Sequence, residues 1–445
     1  MEATLLRLNR HWEGQKYASL HERDLVGNLK KKKDLPHIQV LTGIRRSGKS
    51  TIFRLMINDL MDAGTNPKEI LLLNMDEPFF ASLWANAAGL YHVVDAAEKL
   101  TAVKVKYLFL DEIQQVKDWE LFAKGAYDTQ RFSKIYITGS NSDLLQNRFA
   151  TLLSGRYFAN TVRPLSLREW MLLHGFSGRY DTVARRPELL RLLDAFIKYG
   201  SFPEIALNPP EDDIKTELLN SYYESIVLKD CIVYNQVRDS SLFYRLLHFL
   251  LSNAGAPFYY TSLAKAVGSN ENTVRNYLEY ARRSYIVSEV SNFSFSLKEE
   301  TRPLHKAYGI DTGLMNAVGF QFIQRGGMAL ENIVYNELIN NGYTEIAFAR
   351  QQGGECDFIA KREGQRHAFQ ACHELTPLNL ARETAGFNLF GKLPIASRTI
   401  LTYNQEDMVG DIRVVPFWQF FGVENSDFLT SGKINLSPNR KKVSD

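Results

Sequence analysis

The chain predicts an α/β fold spread over several domains, and three observations carry that expectation. Four short apolar runs without polar alternation recur in its first third: HIQVLT from His37, ILLLN at 70–74, KYLFLDE at 106–112 and KIYITGS at 134–140. Each has the length of a buried strand and is separated from the next by enough chain for a crossover helix, the pattern of a parallel sheet covered on both faces. A glycine-rich phosphate-loop sequence, GIRRSGKST, sits between the first run and a helical segment. Finally, 445 residues are two to four times a typical domain, and the texture changes to purely helical spacing near residue 165 and returns to mixed α and β character after 301.

Composition narrows the class. Apolar residues at 45% and charged residues at 23% are those of an ordered, soluble protein. A net charge of +3 names no partner, although a local basic patch can exist beneath it. The three cysteines, Cys231, Cys356 and Cys372, are far apart and odd in number, which suits a reducing compartment and argues against a disulfide framework or a cysteine zinc site. MEATLLRLNRHWEG has no apolar signal core and no run of 18 apolar residues occurs, so the expectation is a cytoplasmic protein with no membrane contact.

In chain order, residues 1–36 read as a short helix and a polar arm ending in the basic run Lys30–Lys33, a solvated face or a DNA contact. After HIQVLT comes Gly43-Ile44-Arg45-Arg46-Ser47-Gly48-Lys49-Ser50-Thr51. Its glycines let backbone N–H groups turn inward around phosphate oxygens, and the following helix points its N-terminus at the same anion. Lys49 would reach the β and γ phosphates of ATP and the Ser50 hydroxyl would ligate Mg²⁺. KYLFLDEIQ ends a strand in Asp111-Glu112, one carboxylate for Mg²⁺ and one as general base toward the attacking water. At the end of KIYITGSN, Ser140 or Asn141 would touch the γ-phosphate or position water, or Gly139, Ser140 and Asn141 simply make a turn. Arg156, in LLSGRYF, completes a neighbouring subunit's site in trans or forms a structural ion pair.

GIRRSGKST, LFLDEIQ, ITGSN, LLSGRYF, PLSLREW, YGSFPE and YESIVLKD together resemble one branch of bacterial and archaeal AAA+ ATPases. The resemblance spans nearly the whole chain, with the Arg45-Arg46 doublet among its more specific marks. It implies a RecA-like core with the loop and the acidic strand side by side, a helical lid, a C-terminal region of unassigned function, and assembly into a ring such as a hexamer.

Residues 241–290 carry a second signature. LFYRLLHFLL is followed by TSLAKAVG, with Thr261 as N-cap and Gly268 as C-cap, and then by SNENTVRNYLEYARRSYIV. Val274, Leu278, Ala281 and Tyr285 share one buried face, and Asn272, Thr273, Arg275, Asn276, Glu279 and Arg282 the opposite one. Helix, turn, helix and strand in that order predict a winged helix-turn-helix, with Asn272, Thr273, Arg275 and Asn276 at base edges and Arg282 and Arg283 on phosphates. The same module also serves as a protein-docking or purely structural unit.

In the last third Glu331 lies on an amphipathic helix, ALENIVYNELI, and Asp357 and Gln370 on the two strands of a hairpin. This resembles a PD-(D/E)xK nuclease, a restriction-endonuclease-like α/β domain, but Cys372 stands where the resemblance places a lysine. A neutral thiol supplies no charge, so the domain is expected to be inactive, unless Lys361 or Arg366 moves into the gap. His305, His367 and His373 lack metalloprotease spacing, and VVPFWQFFG reads as a core strand or turn. The expected domains are an ATPase core with its arm at 1–164, a helical lid at 165–238, a winged helix at 239–300 and the nuclease-like domain at 301–445. The function expected from these parts is an ATP- and Mg²⁺-dependent, DNA-binding ATPase that remodels or moves along DNA, possible branched substrates included. Its alternatives are a nucleotide-switched regulatory ATPase that docks protein partners, and an ATP-gated, Mg²⁺-dependent nuclease.

Overall fold

A computed structural model describes residues 1–83, 85, 87–142, 151–207, 211–293, 303–319, 326–351, 354–391 and 393–423. The four apolar runs form strands β1 (Ile38–Thr42), β2 (Ile70–Asn74), β3 (Tyr107–Asp111) and β4 (Lys134–Gly139), joined by β5 (Tyr157–Thr161). The sheet is wholly parallel in the order β2-β3-β4-β1-β5. Helices α1 (Lys49–Asp62), α2 (Gly89–Thr101) and α3 (Trp119–Asp128) supply crossovers. Phe53, Met56 and Ile57 of α1 close one face, against Leu41, Phe109 and Tyr136. Leu90, Val94, Phe122 and the arm residues Leu5 and Trp12 close the other. Burial on both faces is why these strands read as continuous apolar runs.

One expectation is corrected here. The loop strand and the acidic strand are not side by side, because β4 lies between β1 and β3. Its Thr138 bridges the gap: Oγ1 donates to Asp111 Oδ1 and accepts from the Glu112 N–H at 2.9 Å.

Helices α4 (Leu167–Leu173), α5 (Arg186–Tyr199) and α6 (Asp212–Ser225) follow, and then a wide, π-type turn over Ile226–Val233. Helices α7 (Ser240–Ser252), α8 (Tyr260–Val267) and α9 (Glu271–Arg283) lead into an antiparallel ribbon of β6 (Val287–Ser291) and β7 (His305–Gly309). The expected boundary at residue 300 therefore falls between two strands that pair. Gly268 is the left-handed cap that ends α8, but Thr261 lies inside the first turn, where Tyr259 is the N-cap residue. On α9 the buried face is Val274, Tyr277, Leu278 and Ala281, and Tyr285 lies beyond the helix end at φ +64°.

The last unit is a six-stranded sheet, β12-β13-β11-β10-β9-β8, made of β8 (Thr344–Gln351), β9 (Gly354–Arg362), β10 (Gln365–Ala371), β11 (Ser397–Thr402), β12 (Asp407–Val409) and β13 (Ile412–Pro416). Helix α10 (Gly326–Asn340) precedes it and is buried on most of its faces rather than amphipathic, because it is packed between this sheet and α4 and α5. The segment VVPFWQFFG is the end of β13 and a short helix, Phe417–Phe421, within the same core. No described helix is long and apolar enough to cross a membrane.

Candidate nucleotide site and a second acidic cluster

The loop after β1 has the backbone that its glycines permit. Gly43 has φ +147°, and a Cβ there would lie 2.0 Å from the carbonyl oxygen of Val162, directly after β5. Gly48, at φ +93°, opens α1. Both positions exclude larger residues by geometry. The Lys49 ammonium is buried and donates to the carbonyls of Gly43 at 2.9 Å and Ile44 at 3.2 Å, 3.8 Å from Glu112 Oε1. Ser50 and Thr138 both donate to Asp111, whose carboxyl is raised above its usual range by burial and by the neighbouring Glu112 charge. Glu112 has a left-handed backbone, φ +55°, which turns its side chain off the strand end. Gln114 donates to Glu112 Oε2 and lies 3.4 Å from Ser140 Oγ. Ser140 and Asn141 are buried at the end of β4. The structure thus brings Lys49, Ser50, Asp111, Glu112 and Ser140 into one cleft at the carboxyl ends of three strands.

The donor set fits a magnesium-bound nucleoside triphosphate. The Ser47 hydroxyl is buried in the loop without a partner, a polar group of the kind that a bound anion satisfies. Beside the loop lies a cavity of about 250 Å³ lined by Leu20, Arg23, Gly48, Thr51, Leu165 and Pro203.

Arg156 is elsewhere. Its carbonyl accepts from the Ile38 N–H, so it sits at the start of β5 and at the far end of β1 from Gly43. Five residues at about 3.3 Å each separate it from its own loop by roughly 17 Å. Its guanidinium faces Asp128 at 3.3 Å and the Tyr127 ring at 5.9 Å.

Two groups that the sequence did not single out complete the loop's surroundings. Arg23, from the arm read as merely polar, donates to the carbonyls of Ser47 and Arg163, each at 2.8 Å, and to Glu169 at 3.0 Å. Asp230 accepts from Arg45 Nε at 2.7 and 2.9 Å, and its Oδ1 accepts from Ser140 Oγ at 3.2 Å. Neither has a local sequence signal, although YESIVLKD, which ends in Asp230, is among the segments that carry the resemblance. The Ile44 side chain joins the core formed by α6, α7 and α9, so the loop is anchored in the downstream helices.

On α9, Asn272, Arg275, Asn276 and Arg282 are exposed and Thr273 is half-buried. Arg275 pairs with Glu271 at 2.6 Å and its guanidinium lies 3.7 Å from the Tyr260 ring centre. Arg282 pairs with Glu279 and Glu289, and Arg283 with Glu279. The carboxyl end of α9 reaches the Ile226–Val233 turn and the end of β1: Ser284 Oγ donates to the Asp230 carbonyl at 3.0 Å, and Tyr285 OH to Thr42 Oγ1 at 2.7 Å.

In the last domain Glu331, Asp357 and Gln370 do approach one another, around a residue that the sequence did not suggest. Lys306 of β7 places its buried ammonium 2.9 Å from Glu331, 2.6 Å from Glu355 and 3.7 Å from Asp357. Burial opposes its charge, but the three carboxylates outweigh that and raise it above the usual lysine range. Burial, and then Glu331, push Asp357 well above its own usual range. Gln370 bonds Glu383 and the Asp357 N–H, whereas Cys372 points to the Glu374 carbonyl. Lys361 pairs with Glu345 away from this cluster. Among the described residues no group of three or more histidines, cysteines and carboxylates has the arrangement of a metal site. His305 instead pairs with Glu289 and His367 with Ser397.

The fold and the loop define a P-loop protein with an α/β, parallel-sheet AAA core. A family model described as AAA domain matches residues 36–171, and one described as a domain of unknown function, DUF8612, matches residues 190–324. Uncharacterized protein MJ1544 of Methanocaldococcus jannaschii is 31% identical over 409 residues, covering 86% of this chain and 88% of that one, and the chain belongs to its family. An uncharacterized protein of Haemophilus influenzae is 28% identical over 365 residues, covering 80% of this chain and 88% of that one. Among solved structures, the Aeropyrum pernix Orc1 protein in complex with DNA matches at 14% identity over 71% of this chain and 90% of its own, with a TM-score of 0.30.

Proposed function

We propose that the chain is an AAA+ ATPase that binds and hydrolyses Mg·ATP and uses the nucleotide state to change how its C-terminal modules hold DNA. The observation that carries the reading is the convergence of Lys49, Ser50, Asp111 and Glu112 in one cleft, with Thr138 fixing the two carboxylates. The amides of Gly43–Thr51 and the Lys49 ammonium would hold the phosphates, and the cavity beside Gly48 would take the nucleoside. Ser50 and Asp111 would hold Mg²⁺, which withdraws charge from the phosphate oxygens when bound. Glu112, oriented by Gln114 and by its own left-handed backbone, would take the proton of the attacking water. Arg156 lies too far from its own loop to act there, which supports a role on a neighbouring copy in a ring.

The α7–α9 helices and the β6–β7 ribbon have the order of a winged helix-turn-helix, and the exposed Asn272, Arg275 and Asn276 near the start of α9 support DNA contact. A second reading, in which this unit docks a protein partner, is supported by the acid partners of Arg275, Arg282 and Arg283, which neutralise much of the helix's basic surface. The nuclease-like domain is read as inactive because Cys372 stands where the resemblance places a lysine, and the Lys306 ammonium nearby is already engaged by Glu331, Glu355 and Asp357.

The test is ATP turnover by the full chain with linear, single-stranded and four-way DNA at two salt concentrations. Turnover lost in Glu112→Gln with nucleotide binding retained is expected, as is stimulation by DNA that weakens steeply with salt. Turnover unaffected by Glu112→Gln removes the hydrolysis mechanism, and turnover indifferent to every DNA favours the protein-docking reading.

A further inference from the structure

The phosphate loop of this chain is closed from outside by a carboxylate. Asp230 lies on the π-type turn at Ile226–Val233, where the chain's hydrogen bonding widens, as in the Val237 N–H to Ile232 carbonyl contact at 2.9 Å. Such wide turns reposition side chains inward and are frequent at functional positions. Here the turn delivers a carboxylate that is only 5% exposed onto two donors of the ATPase core. One is Arg45 in the loop, at 2.7 and 2.9 Å, and the other is Ser140 at the end of β4, at 3.2 Å. A guanidinium and a hydroxyl that converge on one anionic oxygen are equally suited to a phosphoryl oxygen. Both donors lie at the mouth of the cleft that holds Lys49 and Glu112, whose charges act directly on Asp230.

We propose that Arg45 and Ser140 form a γ-phosphate subsite, and that Asp230 occupies it until a triphosphate displaces the carboxylate. The inference rests on the nucleotide reading above and adds to it a residue that discriminates ATP from ADP. Charge balance supports the competition. In the cleft, the cations Arg45 and Lys49 face three acidic groups, Asp111, Glu112 and Asp230. A γ-phosphate entering beside a retained Asp230 would be repelled, whereas one that replaces it inherits a free arginine. A diphosphate ends short of this subsite and leaves Asp230 in place. Displacement would also carry a signal outward: the Asp230 carbonyl accepts from Ser284 Oγ directly after α9, and Cys231 is linked to the same hydroxyl at 3.2 Å.

The experiment is calorimetric titration of the full chain, with Mg²⁺ present, by ADP and by a non-hydrolysable ATP analogue. Asp230→Asn is expected to bind the triphosphate about tenfold more tightly while ADP affinity stays within about twofold. Arg45→Gln, at a partly exposed position that can be changed even if Asp230→Asn fails to fold, is expected to abolish the preference for triphosphate over diphosphate. Equal changes for both nucleotides in Asp230→Asn, or an undiminished preference in Arg45→Gln, overturn the subsite. A wild-type chain that binds neither nucleotide overturns the nucleotide reading itself, a result separable from failure of the subsite alone.

Discussion

Replacing Lys306 with methionine isolates the charge at the centre of the C-terminal cluster. The side chain is 1% exposed, so methionine keeps most of the packing of its stem and the change is electrostatic rather than a cavity. At an effective dielectric of 20, each contact at 2.6, 2.9 and 3.7 Å is an attraction of about 4–6 kcal/mol, most of it offset by desolvation of the ammonium. Removing one side of a buried ion pair leaves a net loss of about 3–5 kcal/mol, because Glu331, Glu355 and Asp357 then face one another without a cation. For a domain of this size that corresponds to a fall of at least about 6 °C in the melting transition of the C-terminal sheet. Thermal unfolding followed by intrinsic fluorescence reads it, since Trp170 and Trp418 lie in that core. A shift below about 2 °C would refute the view that Lys306 is the cation that holds this cluster together.

Two further perturbations address other parts of the chain. Arg156→Ala is expected to cut ATP turnover by about 10³-fold in the assembled protein, with activity recovered when it is mixed with Glu112→Gln subunits, whose intact arginine serves the variant's site; full activity of Arg156→Ala alone removes the trans role. Glu337 is buried on α10, where its Oε1 accepts from the Leu167 N–H and Asn340, and burial pushes it from 4.5 up to about 7. Because the folded chain holds this proton more tightly than the unfolded one, the associated stability is fully present below pH 4.5 and is lost as pH rises toward 7, on the order of 3 kcal/mol. Glu337→Gln should flatten that part of the stability profile in urea unfolding, and an unchanged slope would contradict the assignment.

What was legible in the sequence is what short-range physics writes there. Runs such as ILLLN and KIYITG are buried on both faces, so their apolarity is unbroken and their strands stand out. The loop's glycines and Lys49 are adjacent in the chain, as a phosphate loop requires when it offers one anion consecutive backbone groups. The strand order was not legible: nothing local in β4 says that it lies between β1 and β3, although Thr138, bonded to both acidic residues, reflects it in side-chain chemistry. The burial of α10 escaped for a related reason. Its polar Asn332, Asn336 and Glu337 mark a solvent face by periodicity, yet Asn332 and Asn336 donate to the Gly309 carbonyl and Glu337 caps the Leu167 N–H. Polar residues on a helix report solvent only when no distant backbone group needs them.

The two features that most change the functional reading share this cause. Asp230 and Lys306 are each an ordinary charged residue in sequence, and each becomes singular because a remote element supplies its partners: Arg45 lies 185 residues from Asp230, and Glu331 lies 25 from Lys306. In both places a charge of the chain stands where a ligand of opposite role would be expected, a carboxylate at the mouth of a phosphate loop and an ammonium amid carboxylates. They differ in what holds them. Lys306 is enclosed by three acids and supported by the Tyr308 hydroxyl that donates to Glu331, so its displacement would leave several buried charges unpaired. Asp230 is held by one partly exposed arginine and one hydroxyl, and a phosphate offers both of them an equivalent acceptor. The first arrangement is built to stay and the second to exchange, so the proposed exchange belongs at the contact between the loop and the helices rather than in the C-terminal sheet.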